Sequence, residues 1–331
     1  MKCILHIGTE KTGTTVLQNW LYDNKEKLSQ VGIYLFDSIG VTNNRHIPAY
    51  FGETLDDFYI DNGITNKKKK KKYFSGFLDN LNNEISNAKN KHHTFIITSE
   101  HLHSRLTRAE EIQSLHAFLS NAFDEISVIC YFRDQFDLAV SLYSTALKLH
   151  STENINEFFI TEKVGPETYY FNYLNIANNW AGVFERQNCI FRIYDRQRFI
   201  DNDIRKDFLS IIANNIDLRN LNMSINSANE SLFALQAVAY RRINKIIPYR
   251  NSDNQEINPK NLEAKKMIDS IDALKVEKIF SPLRKKIRDS FKTVNENFFV
   301  KYFDSATKFS TSDIYNLNNL SIKKGGKPPE A

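Results

Sequence analysis

The chain has 331 residues, of which 41% are apolar and 25% are charged, and this composition excludes a mostly disordered protein. The formal net charge of +5 is mildly basic and favours an anionic ligand over a nucleic-acid partner. No apolar run is long enough to span a membrane and the first residues do not resemble a secretion signal, so we expect a cytoplasmic protein. The odd number and wide spacing of Cys3, Cys130 and Cys189 predict reduced thiols in the core.

The chain begins with a pattern of strand, polar loop and helix. Residues 2–7 form an apolar run that ends at Gly8, and apolar residues then recur at helical spacing from 16 to 28. The polar stretch from about 37 to 75 predicts loops and short helices, a candidate lid. Its lysine run, 67–72, is interpreted as a solvated loop, with contact to an anionic acceptor or to a membrane surface as the alternative.

Strands and helices continue to alternate to about residue 226. The predicted strands are 94–97, 126–132 and 189–194. The predicted helices begin near Thr107 (a capping box with Glu110) and at Asp134, and further ones cover 169–184, 204–212, 231–247 and 273–291. Such alternation predicts an α/β fold with a parallel sheet flanked by helices. We predict a core over 1–226, a mostly helical extension of the same domain over 227–322, and a flexible tail over 323–331.

Polar side chains follow three of the predicted strands, at 8–15, at 99–103 and from Arg133 onward. Ligands of parallel sheets bind beyond the carboxyl ends of the strands. The sequence therefore predicts that these three clusters form one site.

The loop between Gly8 and Gly13 has the features of an oxyanion cradle. Its backbone N–H groups precede a helix N-terminus, where the helix dipole favours an anion. Lys11 adds a cation, and Thr12, Thr14 and Thr15 add hydroxyl groups. The glycine spacing matches a P-loop, which favours a P-loop-NTPase-like sheet, but Thr14 stands where a P-loop has lysine. No apolar strand clearly ends in an aspartate that would hold magnesium.

The run Lys11-Thr12-Gly13-Thr14-Thr15 resembles the 5′-phosphosulfate loop of sulfotransferases that use 3′-phosphoadenosine 5′-phosphosulfate (PAPS). The longer stretch 6–15 is similar to bacterial members that act on glycans or glycolipids. A second motif, some 120 residues downstream, has the spacing of the family's 3′-phosphate site: Arg133, Asp137 and Ser141. Arginine suits such a site because its guanidinium is a permanent, bidentate partner for phosphate.

The resemblance implies in-line transfer of a sulfuryl group from PAPS to a hydroxyl or amine of a glycan or glycolipid, without a metal. It implies that residues 11–15, Arg133 and Ser141 bind the donor, and that Lys11 stabilises charge on the leaving phosphate. It assigns the catalytic base to Glu100, with His101 as the alternative. Glu10, His46 and His103 are candidate contacts to the acceptor.

Two other functions fit the same residues. The first is an ATP-dependent phosphotransferase, which would need magnesium. The second is a non-catalytic module that holds an anionic nucleotide or glycan and needs no base. The sequence does not indicate which acceptor is used or whether an oxygen or a nitrogen atom is modified. It also gives no indication of the oligomeric state.

Overall fold

A five-stranded parallel sheet forms the centre of the described chain. The computed structural model describes residues 1–37, 42–213, 221–224, 231–250, 256–274, 283–303 and 308–309, so the predicted tail lies outside it. The strands are β1 (Lys2–Gly8), β2 (Ile33–Leu35), β3 (Thr94–Thr98), β4 (Glu125–Phe132) and β5 (Cys189–Ile193). Their order is β2-β3-β1-β4-β5, and each neighbouring pair is parallel. The predicted fold class is confirmed.

Helices connect and cover the strands. In the first half they are α1 (Thr14–Asp23), α2 (Lys25–Gln30), α3 (His46–Phe51), α4 (Asp57–Asp61), α5 (Lys67–Tyr73), α6 (Phe77–Lys89), α7 (His101–Arg105) and α8 (Ala109–Ala122). In the second half they are α9 (Gln135–Lys148), α10 (Ile155–Thr161), α11 (Tyr173–Phe184), α12 (Ile204–Ile212), α13 (Ala234–Ile246), α14 (Pro259–Ser270), α15 (Leu283–Ser290) and α16 (Lys292–Tyr302). None of these helices is long and apolar enough to cross a membrane.

Both faces of the sheet are buried. Successive strand residues point to opposite sides, so neighbouring residues of β1 belong to different apolar clusters. Cys3 and Leu5 of β1 belong to a large apolar cluster that includes residues of α8, α9, α11 and α16. Ile4, between them, belongs to a second cluster with residues of α1, α2 and α12. The first cluster also takes in the late residues Tyr240 and Phe298. The domain boundary at 226 stays a prediction.

Several predicted elements differ in detail. The first helix is interrupted at Asn24, whose side-chain amide donates to the carbonyl of Trp20. The Thr107 capping box is off by one residue, since Glu111 and not Glu110 accepts from the backbone at the start of α8. The lysine run, 67–72, is helical, so the prediction of a loop was wrong.

The remaining differences concern missed or shortened elements. The short edge strand β2 and the helices α6, α7, α10, α14 and α16 were not predicted. The predicted helix 169–184 begins as a short 3-10 turn, Tyr169–Phe171, and becomes α-helical at Tyr173. The predicted helix 273–291 corresponds to α15 in its second half, and residues 275–282 lie outside the described ranges.

His6 is an ionisable residue enclosed by the sheet and α12. Its Nδ1 atom lies 2.8 Å from Oγ1 of Thr98, and its ring packs edge-on against Tyr131 and Phe208. Burial lowers the pKa of His6 from 6.5 to about 3. The native imidazole therefore stays neutral at a pH where the imidazole of the unfolded chain is charged.

Acid should destabilise the fold through this residue. Between pH 6.5 and about 3 the unfolded state binds a proton that the native state does not, so the free energy of unfolding falls as the pH falls. His6 contributes up to about 1.4 kcal/mol per pH unit. Urea unfolding of the wild type and of His6→Gln between pH 4 and 7 measures this, and the variant should show the shallower pH slope. Equal slopes would contradict the assignment, whatever the variant's own loss of stability.

Candidate functional site

The site lies at the carboxyl edge of the sheet, where β3, β1 and β4 end side by side. Because these three strands are neighbours, the segments that follow them start next to one another. Gln18 Nε2 of α1 donates to Glu100 Oε2 at 2.6 Å, and Arg133 Nη1 donates to the carbonyl of Lys11 at 3.0 Å. The three polar clusters therefore meet, as predicted.

The cradle loop, residues 9–13, is held by contacts made at its start. The Thr9 N–H donates to the carbonyl of Tyr131 in β4 at 2.9 Å, and the Thr12 hydroxyl donates to the carbonyl of Thr9. Thr12 is fully buried, so its hydroxyl holds the loop and does not face the solvent. Lys11 and Gly13 have positive φ angles of 62° and 72°, which turn the chain into α1.

The backbone of the loop fits an oxyanion. Among the hydrogen bonds of the described residues, none joins a backbone N–H of residues 11–15 to a protein acceptor. These amides lie at the start of α1, where the helix dipole also favours negative charge, and Thr14 and Thr15 carry hydroxyl groups in its first turn. The donors suit a phosphate or phosphosulfate group.

Gly8 lets the start of the loop lie against the segment that follows β3. Its φ is 103°, and a Cβ atom at this position would lie 3.0 Å from the Cα atom of Glu100. That neighbour is backbone and cannot move aside cheaply. A glycine is therefore needed both for the turn and for the close approach of the cradle loop to Glu100.

Gly8→Ala should be more destabilising than a glycine substitution that carries strain alone. Gly63 has a φ of 66° with no atom within 4 Å of an added Cβ, so Gly63→Ala is the matched control. Gly63→Ala should carry about 1–2 kcal/mol of left-handed backbone strain. Gly8→Ala should lose roughly 1–3 kcal/mol more, because its φ of 103° lies further from the left-handed helical region and its Cβ atom would meet Glu100. Urea midpoints measure the difference, and equal losses would show that the contact with Glu100 relaxes.

Lys11 connects the cradle loop to helix α9. Its ammonium donates to Oγ1 of Thr145 at 2.7 Å, and Thr145 in turn donates to the carbonyl of Ser141. Burial lowers the pKa of Lys11, and the nearby carboxylate of Glu10 opposes that effect. The ammonium is thus held beside the helix that carries the second motif.

Arg133 lies at the end of β4 and faces the cradle loop. Its guanidinium carbon is 5.6 Å from the centre of the Tyr194 ring, in addition to its bond to the Lys11 carbonyl. A Cβ atom at Gly13 would meet the same ring at 3.3 Å, so Tyr194 closes this side of the cradle. Ser141, two turns into α9, accepts a hydrogen bond from the Ser231 hydroxyl at 3.2 Å.

Asp137, the middle residue of the second motif, takes part in the capping of α9. Its backbone N–H donates to the side chain of Asp134, which caps the helix as predicted. Arg288 donates to Asp134 at 3.1 Å, and Arg284 contacts Asp137 at 3.5 Å. Helix α15 therefore supplies the counter-charges for this helix start.

Glu100 faces the cradle loop from the end of β3. One carboxylate oxygen accepts from Gln18, and the other lies 3.8 Å from His101 Nε2. Burial lowers the pKa of His101 despite the opposing effect of Glu100. A neutral imidazole and a carboxylate, both able to accept a proton, thus lie side by side.

Glu10 extends the cluster on the far side of His101. Its Oε1 atom lies 3.9 Å from His101 Nδ1 and 3.8 Å from Arg105 Nη1. Burial alone would raise the pKa of Glu10, but its neighbours outweigh burial and lower it. These neighbours are His103, His101, Ser104 and Arg105. Glu10 is therefore ionised in the native protein.

The two other histidines predicted to contact the acceptor are held by other contacts, although His103 lies close enough to Glu10 of the cradle loop to lower the pKa of that carboxyl group. His103 has no exposed surface; its ring packs on Tyr170, and burial lowers its pKa. His46, at the start of α3, stacks on Tyr73 with its Nε2 atom 3.3 Å from the hydroxyl. The structure brings neither imidazole into contact with Lys11.

The segment 42–77 is tied to the site by ion pairs. Arg105, which faces Glu10, also donates to Asp56 at 2.9 Å and to Asp57 at 3.3 Å. Arg45 pairs with the same two aspartates. A chain of alternating charges therefore links the predicted lid region to Glu10.

Sequence reasoning missed Gln18, Arg105, Thr145 and Tyr194, all of which hold the proposed site residues. Gln18 and Thr145 each lie one helical turn after a motif residue, Thr14 and Ser141, on the same helix face. That spacing was the available signal. Nothing in the sequence pairs Arg105 with Glu10 or Tyr194 with Gly13.

Comparisons with known proteins return few matches. No protein-family model matches the chain. An uncharacterized protein of Archaeoglobus fulgidus is 29% identical over 205 residues, which are 61% of this chain. The match spans about half of that relative, 52% of its length.

Two solved structures are similar to this chain. A sulfotransferase from Alicyclobacillus acidocaldarius covers 91% of this chain and 96% of its own, with a TM-score of 0.44 and 12% identity. The sulfotransferase domain of the Synechococcus olefin synthase covers 82% and 95%, with a TM-score of 0.39 and 13% identity.

Proposed function

We propose that this protein is a sulfotransferase that transfers a sulfuryl group from PAPS to a hydroxyl or amine of a glycan or glycolipid. The observation that carries the proposal is the contact between the two donor motifs: Arg133 donates to the carbonyl of Lys11 at 3.0 Å, across 122 residues of sequence. A nucleotide with phosphates at both the 5′ and 3′ positions needs two anion sites in one pocket. Two such sites, adjacent and both cationic, support this donor class.

The cradle loop would hold the 5′-phosphosulfate, and Arg133 with Ser141 the 3′-phosphate. When bound, PAPS supplies an activated sulfuryl group. The free amides of 11–15 and the hydroxyls of Thr14 and Thr15 orient the 5′ end. Lys11 stabilises the charge that grows on the bridging oxygen during transfer.

The acceptor would approach from the side of Glu100. Glu100 takes the proton from the acceptor group as that group attacks sulfur in line, the bond from sulfur to the bridging oxygen breaks, and adenosine 3′,5′-bisphosphate leaves. Gln18 fixes the carboxylate by donating to Oε2 of Glu100. His101, neutral and 3.8 Å away, is the alternative base. Glu10 lies one residue before Lys11 and faces the same cluster, so we place it at the acceptor subsite.

Calorimetric titration tests the donor class. Adenosine 3′,5′-bisphosphate should bind about 10–100-fold more tightly than adenosine 5′-phosphate, because the charge-assisted bonds to the 3′-phosphate contribute roughly 1.5–3 kcal/mol. Mg-ATP in the same titration distinguishes the phosphotransferase. Tighter binding of Mg-ATP than of the bisphosphate would overturn the proposal.

Transfer of ³⁵S from labelled PAPS to a panel of glycans and glycolipids then tests the reaction and the acceptor class. Radiolabelled product is the expected result. Tight binding of the bisphosphate without transfer to any acceptor, together with full biological function of a Glu100→Gln strain, would favour the non-catalytic module.

A further inference from the structure

Helix α5 presents a dense array of positive charge to the solvent. Its sequence is six consecutive lysines and a tyrosine, and Asn66 caps its N-terminus by accepting from the Lys69 N–H at 2.9 Å. Lys70 turns inward, donates to the carbonyl of Gly52 and lies 5.5 Å from the ring of Tyr59. The exposed ammonium groups are those of Lys67, Lys68, Lys69, Lys71 and Lys72.

Repulsion between the lysines opposes formation of helix α5. Lys67 and Lys71, and likewise Lys68 and Lys72, are like charges at i and i+4, and each pair costs about 0.2–0.5 kcal/mol. Its first turn holds no acidic residue to complement the helix dipole. The apolar contacts of the buried Phe74, in a cluster with Phe58 and Tyr59, hold α5 in place. A bound polyanionic surface would relieve this repulsion.

Exposed apolar side chains lie on α5 and on α4, the helix that α5 contacts. Ile60 of α4 is 74% exposed, and Tyr73, the last residue of α5, is 40% exposed. The Tyr73 hydroxyl donates to Asn62 at 3.1 Å, which brings the end of α4 beside α5. Cations flanked by an aliphatic and an aromatic side chain are the composition of a surface that binds the membrane interface.

We propose that helix α5 docks this protein on an anionic lipid bilayer, with Ile60 and Tyr73 entering the headgroup region. Clusters of four to eight lysines bind anionic lipids, and the attraction is electrostatic and additive. A soluble polyanion would satisfy the lysines but would give Ile60 no apolar environment. This proposal is independent of the proposed reaction, because none of the lysines of α5 belongs to the site.

Co-sedimentation with sucrose-loaded vesicles of phosphatidylcholine, with and without 30% phosphatidylglycerol, tests it. The wild type should bind only the anionic vesicles, and binding should weaken as salt is raised. The variant with Lys67, Lys68, Lys69, Lys71 and Lys72 changed to Gln keeps Lys70 and with it the anchor to Gly52. Its partition coefficient should fall by more than 100-fold, at about fivefold for each lysine.

A charge-matched control separates the patch from the net charge. It changes to Gln five exposed lysines located elsewhere: Lys27, Lys89, Lys91, Lys163 and Lys266. This control should bind like the wild type, and Ile60→Ser should bind anionic vesicles several-fold more weakly while its retention on a heparin column stays unchanged. Equal losses in the two quintuple variants, or heparin binding without vesicle binding by the wild type, would overturn the proposal. Circular dichroism shows that each variant is folded.

Discussion

Glu100→Gln should lower kcat for sulfuryl transfer by about 10²–10⁴-fold, the usual contribution of a general base. The amide keeps the size of the side chain but cannot accept the proton of the acceptor. The affinity for adenosine 3′,5′-bisphosphate should change little, because Glu100 contacts Gln18 and His101 and not the cradle amides. Single-turnover rates with saturating PAPS, together with calorimetry, measure the two quantities separately.

Two further variants test whether a loss of kcat is specific to the carboxylate of Glu100. Glu110→Gln removes an exposed carboxylate from the first turn of α8 and should leave kcat unchanged. His101→Asn distinguishes the alternative base. If it lowers kcat as much as Glu100→Gln is expected to, and Glu100→Gln retains wild-type activity, then the imidazole is the base and our assignment is wrong.

Arg133→Ala should weaken binding of adenosine 3′,5′-bisphosphate by about 10–100-fold, since a charge-assisted contact to phosphate is lost. Adenosine 5′-phosphate lacks the group that Arg133 would hold, so its affinity should change much less. Calorimetric titration of both nucleotides into both proteins measures the difference. Arg242→Ala, at an exposed arginine of α13, is the control.

The structure also defines the result that would contradict this assignment. Arg133 donates to the carbonyl of Lys11, and it could therefore act by shaping the cradle loop. In that case both nucleotides would lose affinity equally. Such a result would make Arg133 a positioning residue for the loop and leave the 3′-phosphate without its proposed partner.

The sheet and its site edge follow from local sequence patterns. Buried parallel strands are continuous apolar runs, and β1, β3, β4 and β5 each have one. The polar clusters that follow three of these strands were therefore placed at one edge. The edge strand β2 was missed because it has three residues, too few for a periodic pattern.

The supporting contacts of the site could not be predicted, because they join residues that are far apart in sequence. Lys11 reaches Thr145 and Gln18 reaches Glu100, and either pairing depends on how the helices pack. The prediction of a loop over the lysine run was wrong for a different reason. Charge repulsion favours a loop, whereas the Asn66 cap and the tertiary contacts of Lys70 and Phe74 stabilise a helix.

The position of β1 in the sheet has a consequence for biosynthesis. Lys2 pairs with Thr94 on one side and with Glu125 on the other, so β1 is synthesised before either of its neighbours in the sheet. At a translation rate of about 5–20 residues per second, the 124 residues from the end of β1 at Gly8 to the end of β4 at Phe132 take roughly 6–25 s. During that interval β1 is an apolar strand with two unpaired edges, which is the kind of segment most prone to aggregation.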